Sequence, residues 1–118
     1  MSKKNPRELL EDFQKGFMNF SKTNKGGAAA FSKMMSSYGK AGALDEKQKE
    51  LISLAIGLCI RCEYCVAIHV NYAYKAGATR EEILEAGLVA VTMGGGPVMT
   101  YYLSLLQECV DEFENDFK

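Results

Sequence analysis

Apolar residues recur at helical spacing along almost the whole chain. After Pro6, which suits a first helical turn with Asn5 as its cap, Leu10, Phe13, Phe17 and Phe20 follow at intervals of three and four and form one apolar face. The run 21–27 (SKTNKGG) predicts a loop by composition. Residues 28–38 resume the helical pattern with Phe31, Met34, Met35 and Tyr38 on one side, and Gly39 and Gly42 end it. Asp45 reads as the N-cap of a helix that starts amphipathic (EKQKE) and then becomes apolar on nearly every side (LISLAIGLCI), the mark of a buried helix. A break is expected at Arg61–Cys62, although no Gly or Pro enforces it. The next helix runs from about Cys62 to Ala76 and stops at Gly77. Thr79 to Glu82 fits a capping box for another helix, with Ile83, Leu84, Leu88, Val89 and Val91 as its apolar positions. A glycine-rich break at 93–97 precedes the last helix, which carries Tyr101, Tyr102, Leu105, Leu106, Cys109 and Phe113 before fraying into an acidic tail. No β-alternation and no internal repeat is visible, so the fold class expected is all-α.

Length and composition narrow the classes. A chain of 118 residues, 47% hydrophobic and 25% charged, predicts a single domain (1–118) and points to neither a disordered nor a membrane class. The net charge of −1 argues against a nucleic-acid binder. Charge is nonetheless uneven: residues 1–40 carry eight Lys/Arg against three Asp/Glu, and residues 41–118 carry six against twelve. That reads as a solvated basic first helix or as one of two complementary faces in an oligomer. The aromatic face of the first helix, set off by the loop, must be buried on its own subunit or on a neighbour, so residues 1–25 are the candidate for an inter-subunit contact. The N-terminus lacks the apolar core of a secretory signal, and no run approaches the roughly 18 apolar residues of a membrane span. A cytoplasmic location is therefore expected, and there a close cysteine pair is more often catalytic or metal-binding than structural.

The candidate chemistry lies in residues 50–69, ELISLAIGLCIRCEYCVAIH. If Cys62 opens a helix, Cys65 and the chain's single histidine, His69, project from the same face. A cysteine in a first helical turn meets unpaired backbone N–H groups and the positive end of the helix dipole, which favour the thiolate. His69, one turn beyond Cys65, can accept a proton directly or through one water. Should the two helices fold back as an antiparallel hairpin, the 1.5 Å rise per residue brings Glu50 level with His69 or Tyr72, close enough to orient the imidazole. On a continuous helix the two would lie about 28 Å apart and no relay would exist.

Glu50, then Cys62-x-x-Cys65, then His69 together resemble the AhpD-like alkylhydroperoxidases of the carboxymuconolactone decarboxylase superfamily, a likeness that extends over about residues 44–106 and includes AGATREEILEA. The resemblance implies an all-helical bundle with a hairpin carrying the motif, assembled as a homotrimer or homohexamer. It also implies reduction of a hydroperoxide or a disulfide, with Cys65 as attacking thiolate, Cys62 as resolving thiol, Glu50 and His69 as a proton relay, and a dithiol donor of unknown identity. No cofactor and no metal are implied. Members of the family often carry a second histidine before the second cysteine; here Tyr64 stands there, a possible acid but a poor proton acceptor at neutral pH.

Two other functions fit part of the pattern. A cofactor-free decarboxylase would use Glu50 and His69 without the thiols. Cys59-x2-Cys62-x2-Cys65-x3-His69 also has the spacing of an iron–sulfur or zinc ligand set, though in strongly helical sequence rather than a loop. Cys59 and Cys109 otherwise read as core cysteines on apolar helical faces.

Overall fold

A computed structural model of the chain describes residues 4–118, and among them every regular element is helical. Helix α1 spans Pro6–Thr23; the Asn5 side chain accepts from the Glu8 N–H, and the Glu8 carboxylate accepts from the Asn5 N–H. Helix α2 spans Lys25–Gly39, so the loop expected at 21–27 shrinks to the single residue Asn24. The polar residues there serve the helices instead. Ser21 Oγ donates to the Phe17 carbonyl at 2.9 Å, and Asn24 Oδ1 accepts from the Gly27 N–H at 2.9 Å as the cap of α2.

Helices α3 (Glu46–Cys59) and α4 (Glu63–Lys75) form the central hairpin, with Asp45 and Gln48 closing a capping box at the start of α3. Helix α5 (Arg80–Gly94) starts with the Thr79–Glu82 box the sequence predicts. The C-terminal segment is an unbroken succession of helical stretches: α6 (Gly96–Tyr101), a π-helical stretch (Tyr102–Leu106), α7 (Gln107–Phe113) and a 3-10 turn (Glu114–Phe117).

Leu54 and Leu58 of α3, Val66 and Val70 of α4, Leu106 and Phe113 are fully buried where these helices meet. Each such side chain contributes about 2 kcal/mol by leaving water. Leu9 and Leu10 join the same core, so the first half of α1 packs on its own chain. The acidic tail does not fray. Arg7 bonds Glu112 at 2.8 Å and Asp116 at 2.9 Å, and Phe117 stacks on Tyr74 with centroids 6.3 Å apart.

Two expectations fail on α3. Leu54, Gly57 and Leu58 are buried, but Ile52, Ile56 and Ile60 remain 46%, 54% and 65% exposed, and Cys59 stands exposed beside them rather than in the core. With only α4 and α5 as major neighbours, one side of this apolar helix has nothing in its own chain to cover it. Val89 and Met93 on α5 are likewise exposed. Cys109 is buried, as expected.

The Tyr74 hydroxyl donates to the Val110 carbonyl at 2.9 Å, and its pKa is pushed up to about 12, chiefly by burial and then by the charge of Glu114. An unfolded tyrosine ionises near pH 10, so above that pH the unfolded chain holds fewer protons at this position than the folded one, and stability falls as pH rises toward 12. Below pH 10 the contribution is fully present. Urea midpoints measured from pH 8 to 12 should drop less steeply for Tyr74→Phe than for the unaltered chain; parallel curves would remove Tyr74 as the source.

Candidate active site

The site begins with the turn that separates α3 from α4. The Cys62 N–H bonds the Gly57 carbonyl at 2.9 Å and the Arg61 N–H bonds the Leu58 carbonyl at 3.1 Å, the double closure that commonly ends a helix. This closure needs a left-handed residue, and Arg61 supplies it at φ 56°. For an L-residue the conformation costs about 1–2 kcal/mol. At the end of α4 the same pair of bonds forms around Gly77 at φ 95°, where glycine removes that cost. Gly57 has a second duty: a β-carbon there would lie 3.1 Å from the Cys65 Cβ, so its absence lets the first turn of α4 seat against α3.

Cys62 is the N-cap of α4, its sulfur accepting from the Cys65 N–H at 3.1 Å. Cys62 and Cys65 are joined by a disulfide, with α-carbons 5.2 Å apart. Both sulfurs thus sit at the positive end of α4. One turn further, His69 Nδ1 is 2.7 Å from Glu50 Oε2 across the hairpin, and both side chains are largely shielded from solvent. The antiparallel arrangement therefore brings Glu50 level with His69. A carboxylate on Nδ1 fixes the imidazole so that Nε2 is left to exchange a proton. Tyr72 stands edge-on to the His69 ring at 5.9 Å, its phenol pKa raised by burial and by the charge of Glu50.

Cys65 and His69 open onto a cavity of about 420 Å³ walled by Phe13, Phe17, Phe31, Met35, Ile68 and Tyr72. A second hollow of about 610 Å³ adjoins it along Phe13, Phe17 and Phe31 and reaches Gly16, Gly27 and Tyr64. Tyr64 belongs to this outer hollow, not to the cavity with Cys65 and His69. Its hydroxyl lies 3.4 Å from Asp12 Oδ2, and Asp12 is paired with Lys4, whose hydrogen bond and charge hold the carboxyl below its usual range. The wall residues from α1 and α2 were legible in sequence only as an apolar face needing cover. Nothing in their spacing showed that they cover the cysteines.

The four residues of the metal-ligand spacing do not converge. Cys59 Sγ lies 3.7 Å from the Ala90 carbonyl on the α5 side, and Cys62 and Cys65 are bonded to each other. Among the described residues no group of three or more His, Cys, Asp or Glu side chains is placed to hold a metal ion. Among them, too, no helix is long and apolar enough to cross a membrane.

Comparison with known proteins adds three findings. Residues 27–108 match the carboxymuconolactone decarboxylase family. The fold superposes on apo-lpg0406 of Legionella pneumophila, a carboxymuconolactone decarboxylase family protein, with a TM-score of 0.83 and 34% identity, covering 96% of this chain and 97% of that one. Among curated sequences, an uncharacterised protein of Cupriavidus necator is 30% identical over 78% of this chain and 81% of its own, and the alkyl hydroperoxide reductase AhpD of Mycobacteroides abscessus is 38% identical over 44% of this chain and 30% of its own.

Proposed function

The chain belongs to the carboxymuconolactone decarboxylase family, and on that premise we propose that it is a thiol-dependent oxidoreductase that reduces hydroperoxides by cycling Cys62 and Cys65 between dithiol and disulfide. The observation that carries this reading is the grouping of Cys65, His69 and Glu50 on one hairpin, with the cysteine pair at the mouth of α4. The local likeness to an alkyl hydroperoxide reductase supports it.

In the reduced chain His69 takes the proton of the Cys65 thiol, and Glu50 stabilises the imidazolium so formed. The thiolate attacks one peroxide oxygen. A sulfur–oxygen bond forms as the oxygen–oxygen bond breaks, and the leaving alkoxide takes the proton back as an alcohol. Cys65 is now a sulfenic acid. The Cys62 thiol attacks that sulfur, the disulfide closes, and water leaves. An external dithiol then returns both electrons by thiol–disulfide exchange, which suits a compartment that keeps thiols reduced, such as the cytoplasm. The exposed stripe of Ile52, Ile56, Ile60, Val89 and Met93 is the face we assign to contact between copies in a homo-oligomer, a trimer or hexamer.

The test is a thiol titration of the reduced protein with and without one equivalent of hydroperoxide. Loss of two thiols per chain, with a Cys62–Cys65 disulfide found by peptide mapping, is the expected result. Unchanged thiols after hours at micromolar peroxide would refute the reading.

A further inference from the structure

We propose, independently of the thiol reading, that the exposed side of α2 and the second half of α1 rest on an anionic membrane surface. Between Asp12 and Asp45 lie five lysines, Lys15, Lys22, Lys25, Lys33 and Lys40, and no acidic residue. Residues 1–12 balance three Lys/Arg against three Asp/Glu, so this one stretch is +5 in a chain whose net charge is −1. All five lysines are exposed, and among the described residues none of them is ion-paired. Lys4, Arg7, Lys47 and Arg80 are held by carboxylates instead. A surface that meets only water ordinarily mixes both signs of charge.

Large apolar side chains stand among these charges. Met18, Met34 and Tyr38 are 61%, 51% and 77% exposed. Met18 follows Lys15 by three residues and precedes Lys22 by four, which puts the three on one stripe of α1. Met34 and Tyr38 are one turn apart on α2, with Lys33 beside them. None of these residues lines the cavity at Cys65, which α2 walls with Phe31, Ser32 and Met35. The acids of α1, Glu8, Glu11 and Asp12, all lie in its first half.

Helices with lysine on the polar side and bulky apolar residues next to it lie in a bilayer interface, with apolar groups at headgroup depth and ammonium groups at the phosphates. Among the described residues no helix is long and apolar enough to cross, so the contact is peripheral. Composition separates this partner from others. Interfaces between proteins are poor in lysine and rich in arginine, and nucleic-acid phosphates favour the paired donors of arginine. The stretch from Asp12 to Asp45 holds no arginine. The six excess acids beyond residue 40 are repelled by the same surface, which orients the chain with α1 and α2 toward the lipid.

Sedimentation of the full chain with vesicles of phosphatidylcholine, alone or with about a third phosphatidylserine, measures this directly. At about 0.1 M salt, partitioning onto the serine vesicles should exceed that onto the choline vesicles at least about tenfold, and about 0.5 M salt should remove most of the difference. Lys33→Glu, a change of two charges at an exposed site, should weaken partitioning about twentyfold. Lys118→Glu makes an equal change two residues from the Arg7-bound Asp116, away from the proposed face, and should cost less than about threefold. The chain has no tryptophan, so Tyr38→Trp supplies a single reporter whose emission should shift to the blue on the serine vesicles. Equal partitioning onto both vesicles, none onto either, or equal losses from the two charge reversals would overturn the inference and leave the thiol reading standing. So would a Tyr38→Trp emission unmoved by vesicles that sediment the chain. Binding to soluble poly-glutamate or duplex DNA but not to vesicles would give the face to an acidic protein or a nucleic acid. Dissociation of an oligomer by Lys33→Glu, seen by light scattering, would give it to a second copy. Either result sinks the membrane assignment.

Discussion

Cys65→Ser should lower hydroperoxide turnover at least about a thousandfold, the scale of loss when a nucleophile is removed from a catalytic unit. A serine hydroxyl is not ionised at neutral pH at a helix N-terminus and does not attack peroxide oxygen as a thiolate does. Cys62→Ser has a different signature. The first chemical step remains, because Cys65 and His69 still share the cavity, but no second sulfur sits at the cap of α4 to close the disulfide. One equivalent of peroxide should be consumed, and Cys65 should then be trapped as a sulfenic acid that a dimedone probe captures. Multiple turnovers by Cys62→Ser with no added thiol, or full turnover by Cys65→Ser, would reverse the roles assigned to the two sulfurs.

The second large effect lies across the hairpin. His69→Gln keeps a polar group of similar size but cannot carry a proton, so oxidation of Cys65 should slow by about a hundredfold or more. The pH–rate profile should also change shape, because the proton acceptor is gone. Glu50→Gln leaves the ring in place and removes only the charge opposite Nδ1, 2.7 Å away. Its loss should be smaller, about tenfold to a hundredfold, because the ring stays but is less firmly oriented. Circular dichroism and urea midpoints check that both variants fold. A pH profile unmoved by His69→Gln would mean that the proton goes elsewhere.

Much of this was readable from residue order alone, and the failures share a cause. The Asp45 N-cap and the Thr79 capping box are local, made by side chains within three residues of the helix start, and both appear where the sequence places them. The hairpin break at Arg61–Cys62 was expected without an enforcing residue; it is held by backbone hydrogen bonds that tolerate an arginine at positive φ. Cys59 was misjudged because an apolar helical face is buried only if something covers it, and α5 meets Cys59 only at its edge, through the Ala90 carbonyl, leaving the residue exposed. The loop at 21–27 was misjudged because serine, threonine and asparagine serve equally well as helix caps. The stripe of Cys62, Cys65 and His69 was legible because it lies along one helix. Its pocket was not, since α1 and α2 reach it only through tertiary packing.

The closed turn at Arg61 makes α3 a ruler. An α-helix advances about 100° per residue, so one residue inserted between Glu50 and Gly57 would swing the carboxylate more than a quarter-turn around its axis and shift it along the hairpin. The interval from acid to first cysteine is therefore a gauge length that divergence cannot lengthen or shorten by single steps.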